Sequence, residues 1–389
     1  MTKKIKSVGL TWMAVLPVFL WLAACDNGGK EEDADTDDGI VNDVDAGEGA
    51  EAAQDPEEVD EPGEVIDAVE EADLEDLAEE EAAVDAPGEE APPGGTIEAM
   101  EAVLPARIGG IAAATDGTVA YIFGGVDGAP PDSTVDTIIR FNPDADEATT
   151  LSSVLPLPTF IASADWDGTA AYIVGGFAGD ALTDAIVKFD PAEETVETVD
   201  AVLPTPLGRT AAAWDGTAMR LFGGNLGSFT PSGFSDLVAS YDTTEDEVTV
   251  SSATLPTAVA SRIGAIHCNS RTLLFGGWGA SGKSDAIIEY DAGEDSVAAL
   301  STRLPVALDG GALACDGTFV YIFGGESNTE TLDTVMRFDT ATDDAILLDV
   351  ALPTPARGHA AVWIGDHGYI FGGNAGSGLT NRILRFTPL

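Results

Sequence analysis

The sequence predicts an all-β fold, a six-bladed β-propeller that follows an export segment and an acidic linker. Six Gly-Gly pairs recur with successive offsets of 51, 48, 53, 48 and 48 residues. A period near 50 residues, with strand-like content and almost no helical periodicity, is typical of propellers whose blades are four-stranded sheets. The pairs are Gly124-Gly125, Gly175-Gly176, Gly223-Gly224, Gly276-Gly277, Gly324-Gly325 and Gly372-Gly373. We therefore expect one blade for each pair.

Every repeat has the same order of predicted elements. In the third, a small-residue strand over 209–214 is followed by Asp215-Gly216 and by an apolar strand that runs into the glycine pair. Asp-Gly between two such strands predicts a type I′ hairpin turn. A third strand carries an aromatic residue five positions after an Asp or Asn, a Thr/Val-rich fourth strand follows, and a Leu-Pro step leads to the next repeat. The aromatic residues are Phe141, Phe189, Tyr241, Tyr290, Phe338 and Phe386.

The two ends of the repeat region predict how the ring closes. The last repeat stops at Leu389 after its third strand and has no fourth strand of its own. Thr96–Val103 precedes Leu104-Pro105 as Glu147–Val154 precedes Leu155-Pro156. We expect Thr96–Val103 to supply the missing strand of the last blade, because closure removes free sheet edges.

The repeats resemble kelch repeats over the whole of 96–389. The resemblance lies in Tyr121-Ile122-Phe123-Gly124-Gly125, in the aromatic-Asp step Phe189-Asp190 and in Leu203-Pro204. It implies that the strand before the hairpin is innermost, that the glycine-paired strand is second, and that the aromatic residue packs between blades. The outer strand departs from the kelch pattern, because threonine stands where a kelch repeat usually has tryptophan.

Residues 1–25 predict export and lipidation. Lys3, Lys4 and Lys6 precede an apolar run that is short for a membrane span. The run ends in Leu22-Ala23-Ala24-Cys25, which resembles a bacterial lipobox, so Cys25 is the expected lipidated N-terminus. The alternatives are an ordinary signal peptide and a transmembrane anchor.

The segment 26–95 has the composition of a solvated linker. It holds 29 acidic side chains against the single Lys30 and has no aromatic residue. Such a segment cannot bury a core, and its like charges favour an extended chain. The predicted domains are therefore a lipoprotein signal peptide (1–25), a disordered acidic linker (26–95) and the propeller (96–389).

Charge and motif content exclude several classes of function. Residues 96–389 hold 39 acidic and 13 basic side chains, so we expect no nucleic-acid partner. The chain has three histidines and no HExxH, Cys-x-x-Cys, Gly-x-Ser-x-Gly, phosphate loop or Rossmann glycines. A copper site similar to that of galactose oxidase would need a set of Tyr, His and Cys residues that the chain does not supply. We therefore expect no metal, no cofactor and no assigned catalytic residue.

Basic residues recur before the first strands of the repeats, where the mouth of a central channel is expected. A cluster of arginines there could hold a carboxylate or sulfate through bidentate hydrogen bonds. The alternative is that each arginine pairs with a third-strand Asp or with a backbone carbonyl of the next blade. The candidate binding residues are Arg209, Arg262, Arg357, His359 and Asp309, with Arg107 at the corresponding place in the first repeat.

The expected function is that of a lipid-anchored, non-catalytic module that binds protein or glycan at the bacterial cell envelope, on the outer membrane or cell surface. The loops after the glycine pairs vary most, and exposed aromatics such as Phe229 and Phe234 suit binding. The alternatives are that these rings pack on their own blade, and that the chain is an enzyme similar to sialic-acid mutarotases. Those exported six-bladed proteins use arginine and acidic side chains around a sugar carboxylate, for which Arg209, Arg262, Arg357 and Asp309 are suitable types.

Cys268 and Cys315 occupy nearly equivalent ends of neighbouring inner strands. Export to an oxidising compartment allows a disulfide between them, provided that both Cα atoms lie within about 7 Å of each other. The alternative is two small buried thiols in the space that Trp166, Trp214 and Trp363 fill in other repeats.

Overall fold

Short antiparallel strands make up the part of the chain that the structure describes. The computed structural model describes residues 94–129, 133–227, 233–256 and 263–389, all within one compact unit. These residues form an all-β fold of several small sheets and contain no α-helix. Among these residues there is therefore no helix that is long and apolar enough to cross a membrane. The predicted export segment, residues 26–93 of the acidic linker, Cys25, Phe229 and Arg262 lie outside the described residues.

Six sheets share one four-stranded, antiparallel plan, and we number them in chain order by their first strands. The first strands are β2 (Ala112–Thr115), β7 (Ser163–Trp166), β13 (Ala211–Trp214), β17 (Gly264–Cys268), β22 (Ala312–Cys315) and β26 (Ala360–Ile364). The second strands are β3 (Ala120–Phe123), β8 (Ala171–Val174), β14 (Met219–Phe222), β18 (Arg271–Phe275), β23 (Phe319–Phe323) and β27 (His367–Phe371). The third strands are β4 (Thr137–Asn142), β11 (Ala185–Asp190), β15 (Val238–Asp242), β20 (Gly282–Asp291), β24 (Thr334–Asp339) and β28 (Arg382–Thr387).

The fourth strands lie at the outer edges of these sheets. They are β5 (Glu147–Val154), β12 (Thr195–Val202), β16 (Glu247–Val250), β21 (Ser296–Leu308), β25 (Ala345–Ala351) and β1 (Thr96–Val103). The loops add a small sheet of β6 (Thr159–Phe160), β9 (Phe177–Ala178) and β10 (Ala181–Leu182), and β19 (Trp278–Gly279) pairs with the start of β20.

The strand β1 joins the two ends of the described chain. It pairs antiparallel with β28, with Thr96 opposite Thr387 and Ile97 opposite Phe386. Its alternation of exposed and partly buried residues is the same as that of β5 and β12. The Ala102 amide donates to the Asp146 carboxylate of sheet 1 at 3.0 Å, as the Ala201 amide of β12 donates to Asp246 at 3.3 Å. Thr96–Val103 therefore has the pairing that the sequence predicts for it.

The glycine pairs are joints between consecutive sheets. The second glycine of a pair donates its N–H to a carbonyl just before the next first strand, as from Gly125 to Thr159 and from Gly325 to Ala356 at 2.8 and 2.9 Å. The first glycine has positive φ, and a Cβ at Gly324 would lie 2.7 Å from that same Ala356 oxygen. Any larger residue is excluded because the backbone of the next sheet occupies its side-chain position. The pair in sheet 6 reaches sheet 1, where Gly373 donates to Ile108 at 2.8 Å.

The recurrent aromatic residue of each third strand packs on the second strand of the preceding sheet. The ring centroids lie 4.9–5.5 Å apart, mostly in edge-to-face or tilted arrangements. Each such pair contributes about 0.5–1.5 kcal/mol beyond its buried area. The pairs are Phe141–Tyr369, Phe189–Tyr121, Tyr241–Tyr172, Tyr290–Phe222, Phe338–Phe275 and Phe386–Tyr321.

The prediction of type I′ turns at the Asp-Gly steps is wrong. In sheet 1 the pair Thr115–Ala120 closes a four-residue loop, and among its residues only Gly117 has positive φ. Asp116 stabilises the loop through its side chain, which accepts hydrogen bonds from the amides of Thr118 and Val119. A two-residue turn with two positive φ angles occurs instead at Asn269-Ser270 in sheet 4. Hydrogen bonds to the Asp side chain therefore replace the cross-strand backbone hydrogen bonds of the predicted two-residue turn.

Candidate functional site

A cavity of about 230 Å³ lies among the beginnings of the first strands. These six strands contact one another in the order β2, β7, β13, β17, β22, β26 and again β2. The wall of the cavity consists mostly of glycine, alanine and isoleucine, so only a few of its side chains are polar. Arg209 and His359 supply a cation and an imidazole to this wall. Of the five predicted binding residues, the structure brings these two to one cavity.

Arg209 lies in a turn that leads into the first strand of sheet 3. Its φ is +59°, and the equivalent residues Gly110, Ile161, Gly310 and Gly358 also have φ between +53° and +64°. Its amide donates to the Ile161 carbonyl at 3.1 Å, and the Ile161 amide donates to the Gly110 carbonyl at 2.7 Å. The side chain is only 5% exposed. Hydrogen bonds from sheet to sheet therefore hold the backbone from which the guanidinium extends.

His359 is buried in the same wall, and its two ring nitrogens have different roles. Its Nε2 lies 2.9 Å from the Phe323 carbonyl oxygen and donates to it, because that oxygen can only accept. The proton is therefore on Nε2, and Nδ1 carries a lone pair with no hydrogen-bond partner within the described ranges. Burial lowers the pKa of His359 to about 4, which keeps the ring neutral at pH 7.

The lowered pKa of His359 predicts a contribution to acid destabilisation. Below pH 6.5 the unfolded chain protonates this histidine, whereas the folded chain does so only near pH 4. The folded state therefore loses stability as the pH falls through this window. Lowering the pH from 7 to 4 should cost the wild type about 3 kcal/mol more of unfolding free energy than His359→Gln, measured by urea unfolding at each pH. Parallel pH profiles for the two proteins would contradict this assignment.

Asp309 and Arg357 belong to a separate ionic network. Asp309 is fully buried, and its carboxylate lies 3.0 Å from Nζ of Lys283. Lys283 also lies 3.1 Å from Glu326, whose second oxygen is 2.9 Å from Nη1 of Arg357. The network joins the start of β20 to the loops of sheets 5 and 6. Glu326 is thus a side-chain partner of Arg357, and neither Glu326 nor Lys283 was a predicted site residue.

Arg107, Arg209 and Arg357 do not occupy equivalent positions in their repeats, and Arg262, at the same offset as Arg209, lies outside the described residues. Arg209 precedes its glycine pair by 14 residues, Arg357 by 15 and Arg107 by 17, and Arg107 is exposed. Arg357 therefore corresponds to Asp309 and Gly208, which form the same type of isolated bridge. The sequence signal for the buried position is the offset of 14 residues before a glycine pair, where Gly110, Ile161, Arg209, Gly310 and Gly358 have left-handed backbone.

The loops after the glycine pairs lie on the same side as the cavity. Phe234 is partly buried, and its ring centroid lies 5.7 Å from that of Trp278 in the next sheet. Phe160 and Phe177 stack at 5.2 Å, and Leu379 of sheet 6 packs against them. Phe234 therefore packs against a neighbouring sheet, and Phe160 and Phe177 form a buried cluster with Val126 of sheet 1.

The opposite ends of the first strands carry the two cysteines. Cys268 at the end of β17 and Cys315 at the end of β22 are joined as a disulfide in the structure, with Cα atoms 6.0 Å apart. This spacing lies within the normal range for a disulfide. The bond connects sheets 4 and 5 at their innermost strands.

Neither a metal-ligand cluster nor similarity to a known protein assigns a further function to this site. Among the residues that the structure describes, no three His, Cys, Asp or Glu side chains are grouped to hold a metal ion. Comparison with protein-family models and with curated proteins finds no match to this chain.

Proposed function

We propose that residues 96–389 form a closed six-bladed β-propeller of the kelch type. Six sheets with one plan, glycine joints from five of the pairs to the next sheet, and first strands in cyclic contact support this architecture. The contacts of Phe141 with Tyr369 and of Gly373 with Ile108 link the last sheet to the first. The pairing of β1 with β28 gives the last blade its fourth strand.

The propeller acts in this proposal as a non-catalytic binding module. The cavity that carries Arg209 and His359 on the loop side is the observation on which this rests. A guanidinium and a bare imidazole nitrogen together suit a ligand that presents an anionic group and a hydroxyl or amide donor. An acidic glycan terminus or an acidic protein segment has this chemistry. The excess of acidic side chains over the rest of the domain disfavours polyanions such as nucleic acid.

The alternative of a mutarotase-like enzyme has less support from the geometry. It uses Arg209, Arg262, Arg357 and Asp309 around one sugar carboxylate, and Arg262 lies outside the described residues. Asp309 is instead fully buried beside Lys283, and Arg357 contacts Glu326. A binding role needs only the pair that the cavity contains.

The two arginines provide a matched test of the binding proposal. Arg209→Ala should weaken binding of an acidic glycan or peptide by about tenfold to a hundredfold, because charge-assisted hydrogen bonds are lost. Arg357→Ala should leave that affinity unchanged, since this side chain lies in the ionic network. The ligand would be found on an array that pairs acidic glycans and peptides with neutral counterparts, and affinities would be measured by calorimetry. Equal losses in both variants, or no ligand on the array, would contradict the proposed site.

The proposal includes an anchor at the bacterial cell envelope, on the outer membrane or cell surface. Lipidation of Cys25 and the acidic linker 26–95 would hold the propeller away from the membrane. Metabolic palmitate labelling should mark the wild type, and Cys25→Ala should be released or retain its signal segment. A soluble wild-type protein that begins at another residue would contradict lipidation.

A further inference from the structure

A second cavity, of about 280 Å³, lies at the opposite ends of the first strands. Six residues of the first strands line both cavities and form the boundary between them. They are Ala113, Ala164, Ala212, Ala265, Leu313 and Ala361. Beyond this ring the wall changes from aliphatic to aromatic and acidic, with Asp165, Trp166, Trp214, His267 and Trp363. We call this set the tryptophan mouth.

Asp165 is a carboxylate within protein walls that has no cationic partner. Its Oδ2 accepts from the Trp214 amide and its Oδ1 from the Trp166 amide, at 2.7 and 2.8 Å. Within the described ranges, no Lys, Arg or His nitrogen forms an ion pair with it. Desolvation raises the pKa of Asp165 to about 6, more than the two amide hydrogen bonds lower it. The side chain is partly accessible because it lines the cavity, and it is still an anion at pH 8.

The three indole rings that line this cavity with Asp165 are held in place by packing on neighbouring residues. Trp363 stacks on Tyr321 with centroids 5.3 Å apart, and Trp166 stacks on Tyr121 at 6.3 Å. Trp214 packs against the core between sheets 2 and 3. Rigid indoles with a desolvated carboxylate favour organic cations, since the ring faces attract positive charge.

His267, the remaining member of the tryptophan mouth, does not repel a cation. Burial lowers the pKa of His267, so the ring is neutral at pH 8, and its Nδ1 lies 3.0 Å from the Thr272 hydroxyl. The grouping has too few ligands for a metal ion. The negative charge of the domain raises the local concentration of cations and lowers that of anions.

We propose that the tryptophan mouth is a binding site for a small organic cation, an amine or a quaternary ammonium group. Asp165 pairs with the charge, and Trp166, Trp214 and Trp363 enclose its apolar substituents. This site lies at the end of the first strands away from the variable loops, so it is independent of the proposed anion site at Arg209.

Choline and its neutral carbon isostere, dimethylbutanol, are the probes that test the charge requirement. The purified full chain should bind choline at pH 8, and the isostere at least about tenfold more weakly. Asp165→Asn should weaken choline binding about thirtyfold or more and leave isostere binding unchanged. Trp278→Leu removes a tryptophan from the loop side and is the matched control, with unchanged choline affinity.

The pH dependence of choline binding tests the site without a variant. Affinity should fall about tenfold from pH 8 to pH 5 as Asp165 becomes protonated. Protonation of His267 would also weaken cation binding at low pH, so the same profile is measured in His267→Gln. Tyr172, opposite Asp165 on β8, has a raised pKa, and the hairpin residues Asp116, Asp167 and Asp215 have lowered pKa values, so all four keep their charge state.

Three results would overturn the proposal. These are equal affinity for choline and its isostere, a folded Asp165→Asn protein that binds choline normally, and binding that does not change between pH 8 and pH 5. Absence of choline binding in the wild type would overturn it as well. Because the array ligand of the loop side is measured separately with Arg209→Ala, either site can fail without the other.

Discussion

A chain that begins at Leu104 is expected to be less stable than one that begins at Thr96 by several kcal/mol, out of a total on the order of ten. The deletion removes β1 and leaves one edge of β28 without a partner. It also exposes the core that Ile97, Met100 and Ala102 help to cover. Unfolding in urea, with the midpoint and the slope both recorded, measures the loss.

Deletion of residues 26–90 is the control for this experiment. That deletion removes far more chain than β1 does, but the acidic composition of the segment cannot bury a core. The unfolding midpoint should therefore remain close to that of the wild type. Equal stability for the proteins that begin at Thr96 and at Leu104 would refute ring closure through β1.

The second large effect is expected from the disulfide. Replacement of Cys268 and Cys315 by alanine should lower the unfolding free energy by about 4 kcal/mol, because the bond closes a loop of 47 residues in the unfolded chain. Cys268→Ala alone should cost about as much as the double replacement, since either change breaks the bond. Urea unfolding with and without a reducing agent measures both.

The reduced wild type is the matched control, because it has the same side chains without the bond. Its stability should approach that of the double variant. Mass spectrometry of unreduced peptides should identify a Cys268–Cys315 cross-link. Complete alkylation of both thiols in the unfolded, unreduced protein would rule the bond out.

The strand plan was predictable because its determinants are local and repeat in every sheet. A glycine pair marks where a second strand meets the backbone of the next sheet, and no other residue fits there. The boundaries predicted for Thr96–Val103 agree with those of β1 for the same reason, since Leu104-Pro105 sets its end as Leu155-Pro156 sets that of β5.

The turn type was not predictable from the Asp-Gly step alone. Both a two-residue turn and the longer loop of sheet 1 accept this pair of residues. The loop forms because the Asp116 side chain satisfies two amides that a second strand would otherwise have to pair.

The period, the order of strands and the strand that joins the chain ends are determined by the sequence itself, because backbone conformation at glycine, proline and buried aromatic positions leaves few alternatives. The grouping of charged residues was decided only by the tertiary structure. Arg209 and Arg357 look alike in sequence, but one lines a cavity with His359 and the other contacts Glu326. The sequence around Asp165 does not indicate desolvation of its carboxylate, which arises only from the packing of the strands of sheets 2 and 3. Side-chain partners lie tens of residues away, so the electrostatics of both cavities depend on packing that no local pattern records.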